Sequence, residues 1–306
     1  MLTHDFDYET LIHLSERVAW RIDDVINQTT RLDFQRAFLP DSLVLADEIR
    51  CLSPAEKLTL NHIRGNSYVH IFAFIEEYII AVAVRHASAE IFGDELTLRA
   101  LLRFAEEEAK HQTMFKRFGE VFAGSFQTPC GVIGEAETVA GLILAKSPIA
   151  VLLVTLHLEL TTQQHFVECF REGKEEVDPL FRQMFRSHWL EESQHAKIDV
   201  LELEKLAMET DEAGLQRAFA DYIDLVGAFD DLLTEQAQLD VESLSAAIGR
   251  ELGAADRAEI LNVQKKAYRS TFLVSGMTNP SFIKWIGELH PAFPARVAEI
   301  AARYST

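Results

Sequence analysis

The chain has 306 residues, of which 48% are hydrophobic and 25% charged, with a formal net charge of −19. That length suits a large core in one or two domains, and the composition is that of a soluble globular protein. The acidity argues against a phosphate-binding basic face, hence against a nucleic-acid partner, and against docking on an anionic membrane.

Along the chain the pattern is helical almost throughout, and strand signals are nearly absent. Met1 to Asp7 carries acids and a histidine and no basic stretch before an apolar run, so no signal peptide is expected there. Helical segments near 8–28 come first. Ser53-Pro54-Ala55-Glu56 is a capping box with proline at the first helical position, and starts a long helix to about Ala89, irregular near Gly65-Asn66. Gly93-Asp94 starts a second helix, to about Phe122, and residues 123–135 read as a loop. Ser147-Pro148 caps a third helix, to about Glu172, and Asp178-Pro179 a fourth, to about Met208. Further helices are expected near 211–238, 254–275 and 281–304. The apolar stretches at 71–84 and 149–160 are interrupted by Glu76 and Glu77 or are too short to span a bilayer. Three scattered cysteines, Cys51, Cys130 and Cys169, form no Cys-x-x-Cys pair, which points to reduced thiols and a cytoplasmic protein.

Two of the long helices repeat one spacing: Glu108 with His111, and Glu192 with His195. Positions i and i+3 share a helix face, so each pair can hold a metal ion from one side. Chance supplies about one Glu-x-x-His in such a chain, so the pairs alone decide little. Their setting adds weight. Two such pairs, with one glutamate from each of two other helices, make the di-iron carboxylate site of a four-helix bundle. Glu77 lies 31 residues before Glu108, and Glu159 lies 33 before Glu192, both inside strongly apolar helices. Carboxylates buried there are costly unless paired or metal-bound. Glu76 and Glu77 differ by 100° around the helix. Glu77, sharing a face with His70, Phe74 and Ala81, is preferred as the ligand. His188 lies at i−4 from Glu192 and i−7 from His195, on the same face. It is either a third nitrogen ligand or a core histidine beside the site. Carboxylates with imidazoles suit iron or manganese, although ligand type alone leaves zinc open, and a redox metal with open positions suits dioxygen. His157 and His165 read as packing or pocket histidines, and His62 and His86 as structural.

The order Glu, Glu-x-x-His, Glu, His-x-x-x-Glu-x-x-His resembles the non-haem di-iron N-oxygenases of the p-aminobenzoate N-oxygenase type, within the ferritin-like superfamily. The resemblance covers roughly residues 60–210. It implies that His188 completes the cluster, and the stretch Glu77-Tyr78-Ile79-Ile80-Ala81 supports Glu77. The implied metal ligands are Glu77, Glu108, His111, Glu159, His188, Glu192 and His195. Glu107 and Glu191 would each reach the opposite histidine, and Asp199 is a further candidate for such support. Ribonucleotide reductase small subunits carry a radical tyrosine one turn beyond the first histidine; Phe115 stands there in this chain.

The expected fold is all-α. A ferritin-like four-helix core, about 53–208, carries accessory helices at 1–50 and 211–306, in a single domain. The resemblance further implies two iron ions (manganese being the variant), dioxygen as oxidant, a small amine substrate, a reductase or small reductant as electron donor, and a homodimer. The rival readings are a desaturase or hydroxylase acting on carbon, and a non-catalytic metal-binding protein. No substrate-contact residue carries over.

Overall fold

The computed structural model describes residues 6–134, 136–173 and 175–305. Most of Met1–Asp7 and Glu135, the end of the expected loop, lie outside the described residues. Helices dominate, and the extended pairing among the described residues is an isolated parallel bridge between Ala37 and Val177.

Three short helices open the chain: α1 (Tyr8–Val18), α2 (Ile22–Val25) and α3 (Asp41–Val44). α4 then runs Pro54–Ala89, and its start is the expected capping box: Ser53 N–H donates to Glu56 Oε2 at 2.8 Å, and Glu56 N–H to Ser53 Oγ at 3.4 Å. α5 (Glu95–Ser125) is capped by Asp94, which accepts from Thr97 N at 2.7 Å. A helix the sequence pattern did not reveal, α6 (Ala136–Leu144), follows the loop. It is short and apolar, and no residue of it is buried, so no clear two-sided pattern marked it. α7 (Pro148–His165) ends earlier than expected. The chain continues as a π-helical turn, Phe166–Arg171, in which Glu172 N–H reaches Val167 O at 2.9 Å.

α8 (Pro179–Met208) starts where Asp178 accepts from Leu180 N and Phe181 N at 2.8 and 3.2 Å. α9 (Glu212–Ala247) outlasts its expected end at 238. Polar residues on its inward face, Gln236 and Asp240, disguised the apolar period there, and both are buried. α10 (Ala254–Arg269) passes through a second π turn, Ser270–Val274, into α11 (Ser275–Thr278). α12 (Pro280–Leu289) and α13 (Phe293–Tyr304) close the chain.

α4 and α5 form one hairpin, α7 and α8 another, and α5 packs on α8. α1 lies across α5 and α8, while α9 covers α4 and α7. The result is an all-α bundle with helical additions at both ends. By length and composition α4 could cross a membrane, but 72% of its most apolar window is buried inside this bundle.

Gly65 does not break α4. A Cβ there would stand 2.8 Å from Phe38 Cβ and 3.1 Å from Phe181 Cζ, so the glycine admits the chain that precedes the helix. Gly65→Ala gains about 1 kcal/mol of helix propensity, yet overpacking costs about 1–3 kcal/mol. Its melting temperature is therefore expected to fall; a rise would show that Phe38 yields freely.

Beside it, Arg64 is fully buried, its guanidinium stacked 3.0 Å from the Tyr268 ring centre, with none of its nitrogens hydrogen-bonded. Asp240 is the nearby buried anion, accepting from Ser67 Oγ at 2.6 Å, Tyr268 OH at 2.7 Å and Gln236 Nε2 at 2.9 Å. Burial pushes the Asp240 carboxyl up, and Arg64 and these donors hold it back. Asp240→Ala leaves a buried cation without its counter-charge and is expected to cost about 3–5 kcal/mol in denaturant unfolding. A loss below about 1 kcal/mol would mean that Arg64 needs no anion.

Candidate metal centre

Four helices point acids and imidazoles at one place between the hairpins. α4 supplies Glu76, α5 supplies Glu108 and His111, α7 supplies Glu159, and α8 supplies His188, Glu192 and His195, all buried. Their ligating atoms fall into two sets, within each of which all atoms lie within 4.8 Å of one another: Glu76, His111, His188 and Glu192; and Glu108, His111, Glu192 and His195. His188 Nε2 is 3.0 Å from Glu76 Oε1 and 2.9 Å from Glu192 Oε1. His111 Nδ1 is 3.2 Å from Glu192 Oε1, and His195 Nδ1 is 2.7 Å from Glu108 Oε1. Glu159 belongs to neither set but faces Glu192 from α7.

Several of these close pairs are not hydrogen bonds. Both Glu108 oxygens, Glu192 Oε1, Glu159 Oε2, Glu76 Oε2, His111 Nδ1 and His195 Nδ1 are buried without a hydrogen-bond partner. Buried polar atoms are ordinarily satisfied, so such a concentration of orphans marks atoms directed at a shared centre. Oxygen and imidazole donors in this number fit two divalent cations, whose charge would offset the crowded carboxylates.

The electrostatics agree. Burial, then Glu192 and Glu108, drive the Glu159 carboxyl well above its usual range. Burial likewise pushes Glu76 up to about 8, although His188 pulls the other way. Burial alone would lower His111, but Glu191, Glu192 and Glu108 carry it up to about 10. Burial works to raise Glu192 too, yet His188, Glu159 and His111 bring it well below the carboxylate range. Bound cations would offset the cost of burying these carboxylates.

The first-helix choice made from sequence is corrected here: Glu76, not Glu77, enters the cluster. Glu77 Oε1 pairs with Lys116 Nζ at 3.1 Å, and its side chain is 30% exposed. The face shared by His70, Phe74 and Glu77 turns instead to a cavity of about 670 Å³ beside Phe115. The other six expected residues, Glu108, His111, Glu159, His188, Glu192 and His195, come together.

The outward nitrogens of two histidines are held as expected. His111 Nε2 donates to Glu191 Oε2 at 2.8 Å, and His195 Nε2 to Glu107 Oε2 at 2.9 Å, each reaching across to the other hairpin. This leaves both Nδ1 atoms facing the cluster without a hydrogen-bond partner. His188 differs: its Nε2 faces the cluster, while Nδ1 has no partner and the ring packs edge-on against Phe72 and Phe115. Asp199 is buried with Oδ2 unpartnered, and burial pushes its carboxyl well above the usual range.

Sequence reasoning missed the part played by α1 and the turn after it. Ser15 Oγ hydrogen-bonds Glu107, and Arg103 Nε donates to Ser15 Oγ at 2.9 Å. Trp20 stacks on His111 with ring centres 5.8 Å apart, and Lys110, over the Trp20 ring, pairs with Glu191 at 2.5 Å. Nothing in a lone serine or tryptophan signals such a role. Glu191→Gln keeps the shape but removes the anion that orients His111, and is expected to weaken metal binding about 10–100-fold. Unchanged affinity in a chelator competition would show that the Glu191–His111 bond is only packing.

His157 and His165 stand outside the cluster, as expected. His157 Nε2 donates to the Phe272 carbonyl at 3.0 Å and Nδ1 accepts from Tyr222 OH at 2.9 Å, a neutral ring whose burial lowers it to about 4.

Fold and cluster together define an all-α bundle with a buried carboxylate and histidine cluster fit for two metal ions. The family profile described as P-aminobenzoate N-oxygenase AurF matches residues 15–229, and the chain belongs to that family. It is accordingly an oxygenase, with a di-metal cofactor and dioxygen as oxidant. No curated protein matches the chain. Among solved structures it is similar to R2-like ligand-binding oxidases. One, with an anaerobically reconstituted Mn/Fe cofactor, is 17% identical over 87% of this chain and 99% of that one, at a TM-score of 0.45. Another, aerobically reconstituted with Mn/Fe, is 15% identical over 86% of this chain and 94% of that one, at 0.44.

Proposed function

We propose that Glu76, Glu108, His111, Glu159, His188, Glu192 and His195 hold two iron ions, and that the protein N-oxygenates a small amine, most simply an arylamine. The observation that carries the metal assignment is the concentration of unpartnered oxygens and imidazole nitrogens in one buried place. The family carries the choice of nitrogen over carbon. When bound, the ions supply redox electrons and open positions for dioxygen. The chain's own part is geometric. Glu191 and Glu107 fix the tautomers of His111 and His195, and Phe72 and Phe115 pack against His188 and keep water from it.

The first turnover balances as amine plus dioxygen, two electrons and two protons giving a hydroxylamine and water. The two electrons come from a reductase or small reductant. The test is mass spectrometry of products from the iron-loaded protein with aniline, a reductant and isotopically labelled dioxygen. Labelled hydroxylamine or nitroarene is expected. Labelled products oxidised only at carbon would overturn the N-oxygenation reading.

A further inference from the structure

A second cavity, of about 260 Å³, lies between α4, α6, α7 and α9, and is lined almost wholly by apolar side chains, Ile75, Leu142, Leu158 and Phe229 among them. Its position ties it to the metal centre. Leu158 precedes Glu159, and Ile75 precedes Glu76. Tyr78 forms part of its wall. The Tyr78 hydroxyl is buried beside Thr155 and within electrostatic reach of Asp199, Glu159 and Glu108. One tyrosine side chain therefore stands between cavity and cluster.

The charged groups in the lining are Asp231 and Glu235, exposed and one helical turn apart on α9, with no lysine or arginine among them. Neither acid forms an ion pair with a described residue. α6 covers the opening loosely: none of its residues is buried, and Leu142, which lines the cavity, is 66% exposed. The larger cavity beside Phe115 is the rival entrance. Its cation, Lys116, is engaged by Glu77, and its His70 donates to the Ile133 carbonyl at 2.7 Å. An anionic substrate entering there would share Lys116 with Glu77.

We infer that the apolar cavity is the substrate chamber, and that its occupant is an apolar amine carrying no anionic group, admitted past Asp231 and Glu235. The inference rests on the amine reading of the site. Apolar walls take the body of the molecule, and two unpaired carboxylates at the mouth repel carboxylated amines while tolerating neutral or protonated ones.

The test is an oxygen-free binding titration of the iron-loaded protein, in which no turnover occurs. 4-Butylaniline is expected to bind at least tenfold more tightly than 4-aminobenzoate. Leu142→Trp, at an exposed position, should weaken 4-butylaniline binding tenfold or more. Gly119→Trp, in the rival cavity, should leave it unchanged. Asp231→Lys with Glu235→Lys should strengthen 4-aminobenzoate binding about tenfold. Tighter binding of 4-aminobenzoate to the unaltered protein, or loss of 4-butylaniline binding in Gly119→Trp and not in Leu142→Trp, would overturn the inference. Expected binding without nitrogen oxidation on admitting dioxygen would sink the N-oxygenation reading and leave the chamber assignment standing.

Discussion

Glu192→Ala is expected to strip the protein of both metal ions. Glu192 is one of two residues that belong to both ligand sets; the other is His111. An imidazole offers one nitrogen to one ion, because the Nε2 of His111 is committed to Glu191. A carboxylate offers two oxygens and can bridge. Glu192 Oε1 also stands 2.9 Å from His188 Nε2 and 3.2 Å from His111 Nδ1. On the proposed assignment, removing it would take a ligand from each ion and a counter-charge from two histidines. The loss in metal affinity should exceed the roughly 10–100-fold expected when an outer hydrogen-bond partner such as Glu191 is changed. Metal analysis should fall from near two ions per chain towards none. Two retained ions would remove Glu192 from the centre.

The second large effect separates neighbours. Glu76→Ala should lose the ion held with His188, and with it turnover, whereas Glu77→Ala should keep both ions and most of its activity. Glu76 is 2% exposed and 3.0 Å from His188 Nε2; Glu77 is a partly exposed partner of Lys116, worth about 0–1 kcal/mol to stability. The opposite pattern, metal lost on changing Glu77 alone, would restore the choice made from sequence.

That choice shows where the sequence stops being legible. Helix starts were readable because Ser53, Asp94, Ser147 and Asp178 are caps whose oxygens take the first free N–H groups. The Glu-x-x-His pairs were readable because a helix fixes which residues share a face. Adjacent acids in a helix apolar on nearly every side offer no such guide. Either could point inward, and only packing against α5 and α8 decides. The contributions of Ser15 and Trp20 share that character. Each depends on contacts between residues far apart in the chain, and local pattern does not encode them. The acids Glu107 and Glu191 were legible only through family likeness; their distances to His195 and His111 give that likeness a physical basis.

The central claim, a two-metal centre on these seven side chains, is tested most directly by a crystal structure of the iron-loaded protein with anomalous scattering at the iron edge. Two peaks about 3.5–4 Å apart are predicted, enclosed by Glu76, Glu108, His111, Glu159, His188, Glu192 and His195. A single peak, or a peak beside Glu77 and Lys116, would contradict it.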